Sequence, residues 1–319
     1  MGTEELTRES RAESSAAGEL LLVAGYQTAT FLASGVEGSV HALDAGTVAK
    51  VWTTRTREQL HRIKTFYDAL AATGLPFETP RVFDIVDLNG AHATIEKRLV
   101  GRPLHSDRPG ISPILTPSDV DTIVFVLRAL ATARPTPALY DLPPLDEDSS
   151  TWTPESTFTS GLIVLIEKRT ARFAPLLRRA LGDFDSIRDH TIAALRSIPP
   201  STSGVVHGDL IPANILIGND GEVTAVLDFG FLSTVGDPAF DAAVTPAITD
   251  MYGHRAADTQ AQLDLAIEFE TNLDPRTLEI YRAAYALVTS NAFDEDGNDG
   301  HFQWCMNLLQ RTAIQKAIS

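Results

Sequence analysis

One stretch restricts this chain more than any other: Val206-His207-Gly208-Asp209-Leu210-Ile211-Pro212-Ala213-Asn214, followed a short way on by Leu227-Asp228-Phe229-Gly230. Between the two halves lie Ile215-Leu216-Ile217 and Val223 to Leu227, apolar and β-branched runs joined by Gly218-Asn219-Asp220-Gly221. Such runs around an Asn-Asp-Gly turn predict a β-hairpin. The hairpin returns the chain on itself. Asn214, just before its first strand, and Asp228, just after its second, are therefore expected at the same end. An amide oxygen and a carboxylate are hard donors of the kind Mg²⁺ takes, with phosphates or water completing its octahedron. Asp209, five residues before Asn214, is a carboxylate that could orient an attacking hydroxyl and accept its proton.

Upstream, Thr28 to Leu43 reads as strand, turn, strand, with Gly35 and Gly38 in the turn. Small residues there let backbone amides approach phosphate oxygens. Thr47 to Trp52 is a β-rich run carrying a single cation, Lys50. From Arg55 to Thr73 the apolar residues Leu60, Ile63, Phe66, Tyr67 and Leu70 recur at helical spacing, and Gly74 and Pro76 end the pattern. Pro80 to Val86 and Ala91 to Leu99 are two further strands around an Asn89-Gly90 turn.

In this order the elements resemble the protein-kinase template: a Gly-rich loop (with Ala33 where the first glycine stands), a strand lysine, H-x-D-x-x-x-x-N and D-F-G. His-Gly-Asp replaces His-Arg-Asp, and no Ala-Pro-Glu follows Asp-Phe-Gly. With those two features, residues 28 to 245 resemble the aminoglycoside phosphotransferase and small-molecule kinase family. The resemblance implies an α+β, bilobal, protein-kinase-like fold. A small antiparallel-sheet N-lobe (residues 18–100) would precede a larger, mainly helical C-lobe (residues 101–319), with residues 1–17 a disordered tail.

The resemblance also implies roles. Gly35, Gly38 and Val40 would cradle the triphosphate of ATP or GTP, Lys50 would meet its α- and β-phosphates, and Glu58 would hold that lysine. The Lys97 carbonyl and Leu99 amide would read the purine edge at an interlobe hinge. Asp209 is the catalytic residue, Asn214 and Asp228 hold Mg²⁺, and His207 braces the loop. Asp237 and Asp241, in Gly236-Asp237-Pro238 and just beyond, are carried over as structural.

The second lobe reads as helical. Expected helices are Ser118–Ala133, with Ser118 as N-cap, Phe158–Leu181, Asp185–Ile198, Thr259–Asn272, Pro275–Thr289 and Phe302–Ile318. Asp294 to Gly300 lacks the spacing and terminal glutamate of an EF-hand and is expected to be a solvated loop.

A net charge of −16 argues against a nucleic-acid partner, whose phosphates demand a basic footprint. Through residue 100 there are 13 acids against 10 Lys and Arg, and beyond it 29 against 16, so the excess sits in the C-terminal two-thirds. An acidic surface of this kind serves solubility, and it also leans towards a cationic acceptor, through carboxylates such as Asp146 to Asp148 or Asp294 to Asp299. The aromatic residues Trp152, Phe302 and Trp304 would equally serve a macrolide. No apolar run approaches a membrane span, the N-terminus lacks a signal-peptide core, and the single cysteine, Cys305, fits a reducing compartment. The expectation is a cytoplasmic enzyme that moves a γ-phosphate to a small-molecule hydroxyl, most readily of an antibiotic. The alternatives are a kinase of choline, a sugar or an amino-acid alcohol, a protein-serine kinase, and a nucleotide-binding regulatory module without turnover.

Overall fold

The structure, a computed structural model, describes residues 16–35, 38–105 and 114–319. The expected tail lies outside these residues except for its last two, which begin helix α1 (16–23). Five strands form one antiparallel sheet: β1 (Thr30–Gly35), β2 (Gly38–Ala42), β3 (Thr47–Trp52), β4 (Val82–Leu88) and β5 (Ala91–Lys97), in the order β1-β2-β3-β5-β4. Alternation along β3 divides its side chains between two faces. Ala49 and Val51 pack with Leu21 of α1 and with Leu88 and Ala93, while Trp52 joins the main core. Lys50 shares the face of Trp52.

Helix α2 (Arg57–Ala71) packs on that face through Leu60, Ile63, Phe66, Tyr67 and Leu70, the stripe that the sequence spacing predicts. Burying five such side chains contributes on the order of 10 kcal/mol gross. Its start is fixed by a capping box in which Thr56 and Gln59 each bond the other's backbone amide.

Past a short strand β6 (Arg102–Pro103) the chain becomes helical: α3 (Pro117–Thr132), α4 (Phe158–Arg172), α5 (Ala174–Ala180) and α6 (Phe184–Ser197). Three corrections arise here. The cap of α3 is Thr116, not Ser118, because Thr116 pairs reciprocally with Asp119 and Pro117 takes the first helical position. The expected helix 158–181 breaks at Phe173, where Pro175 cannot continue the ladder. The expected helix 302–318 is also two, α10 (Gly300–Leu309) and α11 (Thr312–Ile318).

Between α6 and the last helices, β7 (Gly204–Val206) pairs with β10 (Thr234–Gly236), and β8 (Ile215–Ile217) pairs with β9 (Val223–Val226) and β6. Helices α7 (Ala239–Ile248), α8 (Ala256–Glu270) and α9 (Pro275–Thr289) follow. Helix α9 lies at the centre of the helical part, against α4, α6, α7, α10 and α11. It is buried on nearly every face from Ile280 to Thr289. Among the described residues no helix is long and apolar enough to cross a membrane.

Candidate active site

The nucleotide-side candidates gather along the sheet. Register sets Gly35 opposite Gly38 and Val40 opposite Lys50; Val36 and Glu37, between the two glycines, lie outside the described residues. Gly38 has φ +148°, and a Cβ there would stand 1.9 Å from the Val51 carbonyl oxygen, so no other residue fits the turn. The Lys50 ammonium lies 3.9 Å from the centre of the Trp52 ring, a cation–π contact. Glu58 sits in the first turn of α2, mostly exposed, with its carboxylate bonded to Arg62 at 2.8 Å. Arg62 also donates to the Asp148 carbonyl at 3.0 Å, tying α2 to the loop before α4. Trp52, Glu58, Arg62, Tyr67, Phe229 and Gly230 are among the residues around a cavity of about 300 Å³.

Lys97 ends β5 opposite Thr47, and its amide donates to the Arg81 carbonyl. The segment carrying Lys97 and Leu99 leads into Gly101, at φ +149°, which is pressed against Thr224 and Leu216 of the β8–β9 hairpin. Thr224 Oγ1 donates to the Val100 carbonyl at 2.6 Å. The crossing between the two parts of the chain is thus pinned to the hairpin.

The hairpin assembles the remaining candidates. Ile215 pairs with Val226, and the Leu227 amide donates to the Asn214 carbonyl at 2.8 Å, so Asn214 is level with the residue before Asp228. Asn214 Nδ2 donates to the Asp209 carbonyl at 3.1 Å, which ties the loop end to its start and turns the amide oxygen the other way. Asp228 has φ +57°, one of three non-glycine residues with positive φ among those described. Holding an aspartate in this region costs of order 1 kcal/mol, and such strain concentrates at functional positions.

His207 links the two halves. Its Nε2 donates to the Leu227 carbonyl at 2.8 Å, and its Nδ1 accepts from the Asp209 amide at 3.2 Å. That pattern places the proton on Nε2 of a neutral ring. Burial pushes its pKa down to about 4, and neither nitrogen is left to act as a base. Phe229 packs against the ring at 4.4 Å between centres. The expectation of a brace agrees with this geometry.

Sequence reasoning missed most of what holds the loop. The Asp241 carboxylate accepts from the amides of His207 and Gly208 at 2.6 and 2.8 Å. Ser233 Oγ donates to the His207 carbonyl at 2.6 Å and accepts from the Gly230 amide at 2.9 Å, coupling both motifs through one hydroxyl. Gly208, at φ +79°, is crowded by Leu232, whose Cβ would lie 2.5 Å from an added Cβ. The glycine in His-Gly-Asp is therefore required by both conformation and space. Asp237 caps the amide of Ala239 and accepts from the Tyr281 hydroxyl of α9 at 2.6 Å, a structural role like that of Asp241.

On the acceptor side one expectation fails and another is narrowed. Trp152, Phe302 and Trp304 are core residues, 2%, 6% and 8% exposed, and cannot line a rim. Several of the carboxylates expected to meet a cation are already engaged. Arg169, buried on α4, bonds Asp146, Glu147 and the Asn291 carbonyl; Arg172 bonds Asp146 and Glu295; Lys168 bonds Glu147. Arg169 stands between Ile166 and Thr170 on the buried face of α4. A cation at a core phase of a helix is a sequence signal for an internal carboxylate partner.

The donor chemistry fits a hard cation. Asn214 and Asp228 present oxygen, and both nitrogens of His207 are occupied. Among the described residues no three His, Cys, Asp or Glu side chains converge. Two protein oxygens with phosphate and water making up the rest is the mode in which Mg²⁺ is commonly held.

Residues 28–286, well over half of the chain, match the model of the phosphotransferase enzyme family. No curated protein matches the chain significantly. Among solved structures it resembles the ADP-bound aminoglycoside phosphotransferase APH(2'')-Ib, at TM-score 0.57 and 18% identity over 92% of this chain and 97% of that one. It also resembles the GDP complex of an aminoglycoside 2'-phosphotransferase-IIIa mutant, at TM-score 0.59 and 13% identity over 95% and 97%. A third is the macrolide 2'-phosphotransferase MphH of Brachybacterium faecium, at TM-score 0.53 and 18% identity over 92% and 97%. At these identities the likeness speaks to the fold, and the family match speaks to kinship: the chain belongs to the phosphotransferase enzyme family and has its bilobal, protein-kinase-like fold.

Proposed function

We propose that this protein is a cytoplasmic phosphotransferase that moves the γ-phosphate of ATP or GTP to a hydroxyl of a small molecule, an antibiotic in the first instance. The observation that carries the reading is the His207 bridge, which ties the Asp209 amide and the Leu227 carbonyl, one residue before Asp228, to a single ring. A loop held this way keeps the proton acceptor and the oxygen donors in fixed relation, which is most of what phosphoryl transfer asks of a protein.

In this reading the acceptor hydroxyl oxygen bonds to the γ-phosphorus while the bridge to the β-phosphate breaks, and Asp209 takes the hydroxyl proton. Asn214 and Asp228 would hold Mg²⁺, which supplies charge neutralisation on the phosphates. Gly35, Gly38 and Val40 cover the phosphates, Lys50 leaves Trp52 for them, and the Lys97 carbonyl and Leu99 amide meet the base at a lobe boundary near residue 101. Glu58 exchanges Arg62 for Lys50 when nucleotide binds.

The test is phosphate transfer from labelled ATP and GTP to a panel of aminoglycosides, macrolides and metabolite alcohols. Asp209→Ala is expected to lower turnover by about 10³-fold, within the range for a lost general base, with nucleotide binding retained. An Asp209→Ala protein that works at full rate refutes the mechanism. One observation favours a second reading, a nucleotide-binding module without turnover: the commitment of Glu58 to Arg62. Nucleotide binding with no transfer to any panel member supports that module instead.

A further inference from the structure

We propose that the acceptor rests against the stacked pair Phe231 and Phe293 and is recognised through a flat, uncharged ring beside its hydroxyl, not through ammonium groups. The inference rests on the phosphotransferase reading above and specifies its acceptor.

The position comes first. Leu232 packs against Gly208, so Phe231 is one residue along the chain from a contact with the catalytic loop. The Phe231 and Phe293 rings lie nearly parallel, 8° apart in plane and 5.7 Å between centres. Phe231 is half-buried against the core, whereas Phe293 is 54% exposed. The inner ring is anchored and the outer one leaves apolar area in solvent. A ligand ring of similar size can extend such a pair, since offset stacking adds to simple burial.

The wall continues on the other side of Phe293. His301 meets it edge-on at 5.0 Å, and its Nδ1 lies 3.1 Å from the Tyr252 hydroxyl. Tyr252 is 65% exposed. Tyr285, fully buried, is edge-on to both His301 and Trp304. An aromatic cluster therefore runs from the buried Tyr285 through His301 to the exposed rings of Tyr252 and Phe293.

Charge argues in the same direction. Three of the acidic groups flanking this wall are spent on the protein itself, Asp146 on Arg169 and Arg172, Glu147 on Lys168 and Arg169, and Glu295 on Arg172. One oxygen of Asp299 accepts from the Phe302 amide, and the other has no protein partner among the described residues. Arg172 is held by Glu295, two residues along the chain from Phe293, so a cation approaching Glu295 meets a guanidinium already in place. A polycation finds these three carboxylates already paired, whereas a neutral ring needs none of them.

The test uses the full chain and transfer from labelled nucleotide to two sets of probes. One set holds uncharged ring-bearing alcohols, including chloramphenicol and pyridoxine; the other holds the polycations kanamycin and streptomycin. Transfer to ring-bearing alcohols is expected, with Phe293→Ala raising the KM for that acceptor at least tenfold and leaving kcat and the nucleotide KM within twofold. Phe293→Tyr should restore the KM, which a merely structural role would not require. Transfer to the polycations alone, or a Phe293→Ala KM within twofold of the parent, overturns the proposal. So does failure of both sets in a protein that hydrolyses nucleotide through Asp209. Hydrolysis that is indifferent to Asp209→Ala sinks the underlying phosphotransferase reading instead.

Discussion

The amide of His207 donates to the Asp241 carboxylate across 2.6 Å, and the next amide, that of Gly208, donates to the other oxygen of the same group. One carboxylate near the start of α7 thereby satisfies two consecutive buried donors and sets the direction in which the chain leaves β7 for Asp209. An amide side chain has only one acceptor. Asp241→Asn would turn an NH₂ towards a backbone N–H and leave a buried donor unpaired. A loss of about 2–4 kcal/mol of stability is expected, summing one broken charge-assisted bond and one unsatisfied amide. Turnover should fall by more than the nucleotide KM rises, because the displaced residues carry Asp209. Denaturant unfolding and steady-state kinetics on one preparation check both parts.

Gly208 is constrained twice, by φ +79° and by Leu232 at its back. Gly208→Ala is expected to destabilise by at least about 1 kcal/mol from conformation alone, with the steric conflict added. The double variant Gly208→Ala, Leu232→Ala relieves the second cost and not the first. Partial recovery of the melting temperature without recovery of turnover is the expected pattern. Complete recovery of both would show that only space mattered.

What could be read in the chain beforehand was what local sequence determines. The Gly218 to Gly221 turn fixes a hairpin, and the hairpin brings Asn214 level with Leu227 through one backbone bond. Helix α9 runs over Pro275–Thr289 as its capping Asp274, first-turn proline and apolar spacing require. The Asp241 clamp, the Ser233 hydroxyl shared by two motifs and the Leu232 contact at Gly208 join residues 24 to 34 apart, and no periodicity encodes such pairings. The aromatic residues failed for a related reason. Trp152, Phe302 and Trp304 lie in amphipathic or loop segments where composition does not say which ring meets the core, and the rings left exposed nearby are Tyr252 and Phe293. Ser118 was displaced as a cap because Thr116 offers the same hydroxyl with a reciprocal partner, Asp119.

Stability should fall on mild acidification, and the two histidines with the largest shifts set the window. Burial lowers the pKa of His207 and of His301 from 6.5 to about 4. The unfolded chain binds these protons first, so their contribution is complete above pH 6.5 and is lost as the pH falls towards 4. Each shift corresponds to up to about 3 kcal/mol. Asp241 acts oppositely: burial raises it from 3.8 to about 6, against the pull of its two amide bonds, so its contribution is complete below 3.8 and is lost as the pH rises to 6. Where the windows overlap, two protons taken up on unfolding stand against one released. Between pH 6 and 4 these three groups together still lower stability on acidification. His301→Asn removes one of the two histidines and should flatten the fall in urea midpoint across that range. An unchanged slope would mean that His301 titrates normally in the folded protein.

Arg169 tests how the acceptor side is held. Its side chain is 1% exposed and joins Asp146 and Glu147 of one loop to the Asn291 carbonyl of another. Glu147 is itself 4% exposed, so Arg169→Met would leave Lys168 as its remaining cation. Removing one member of a buried ion pair costs about 3–5 kcal/mol, mostly from the charge left behind. Glu147→Gln should cost less, since Asp146 and the Asn291 carbonyl still hold the guanidinium. The double variant should cost less than the two single changes added together, because the stranded carboxylate is then gone. The loops tied by Arg169 carry Leu145, whose amide bonds the Phe231 carbonyl, and Phe293. Loosening them is therefore expected to raise the acceptor KM several-fold while the nucleotide KM stays close to the parent value. Equal effects on both constants would place the damage in the core as a whole rather than in the acceptor wall.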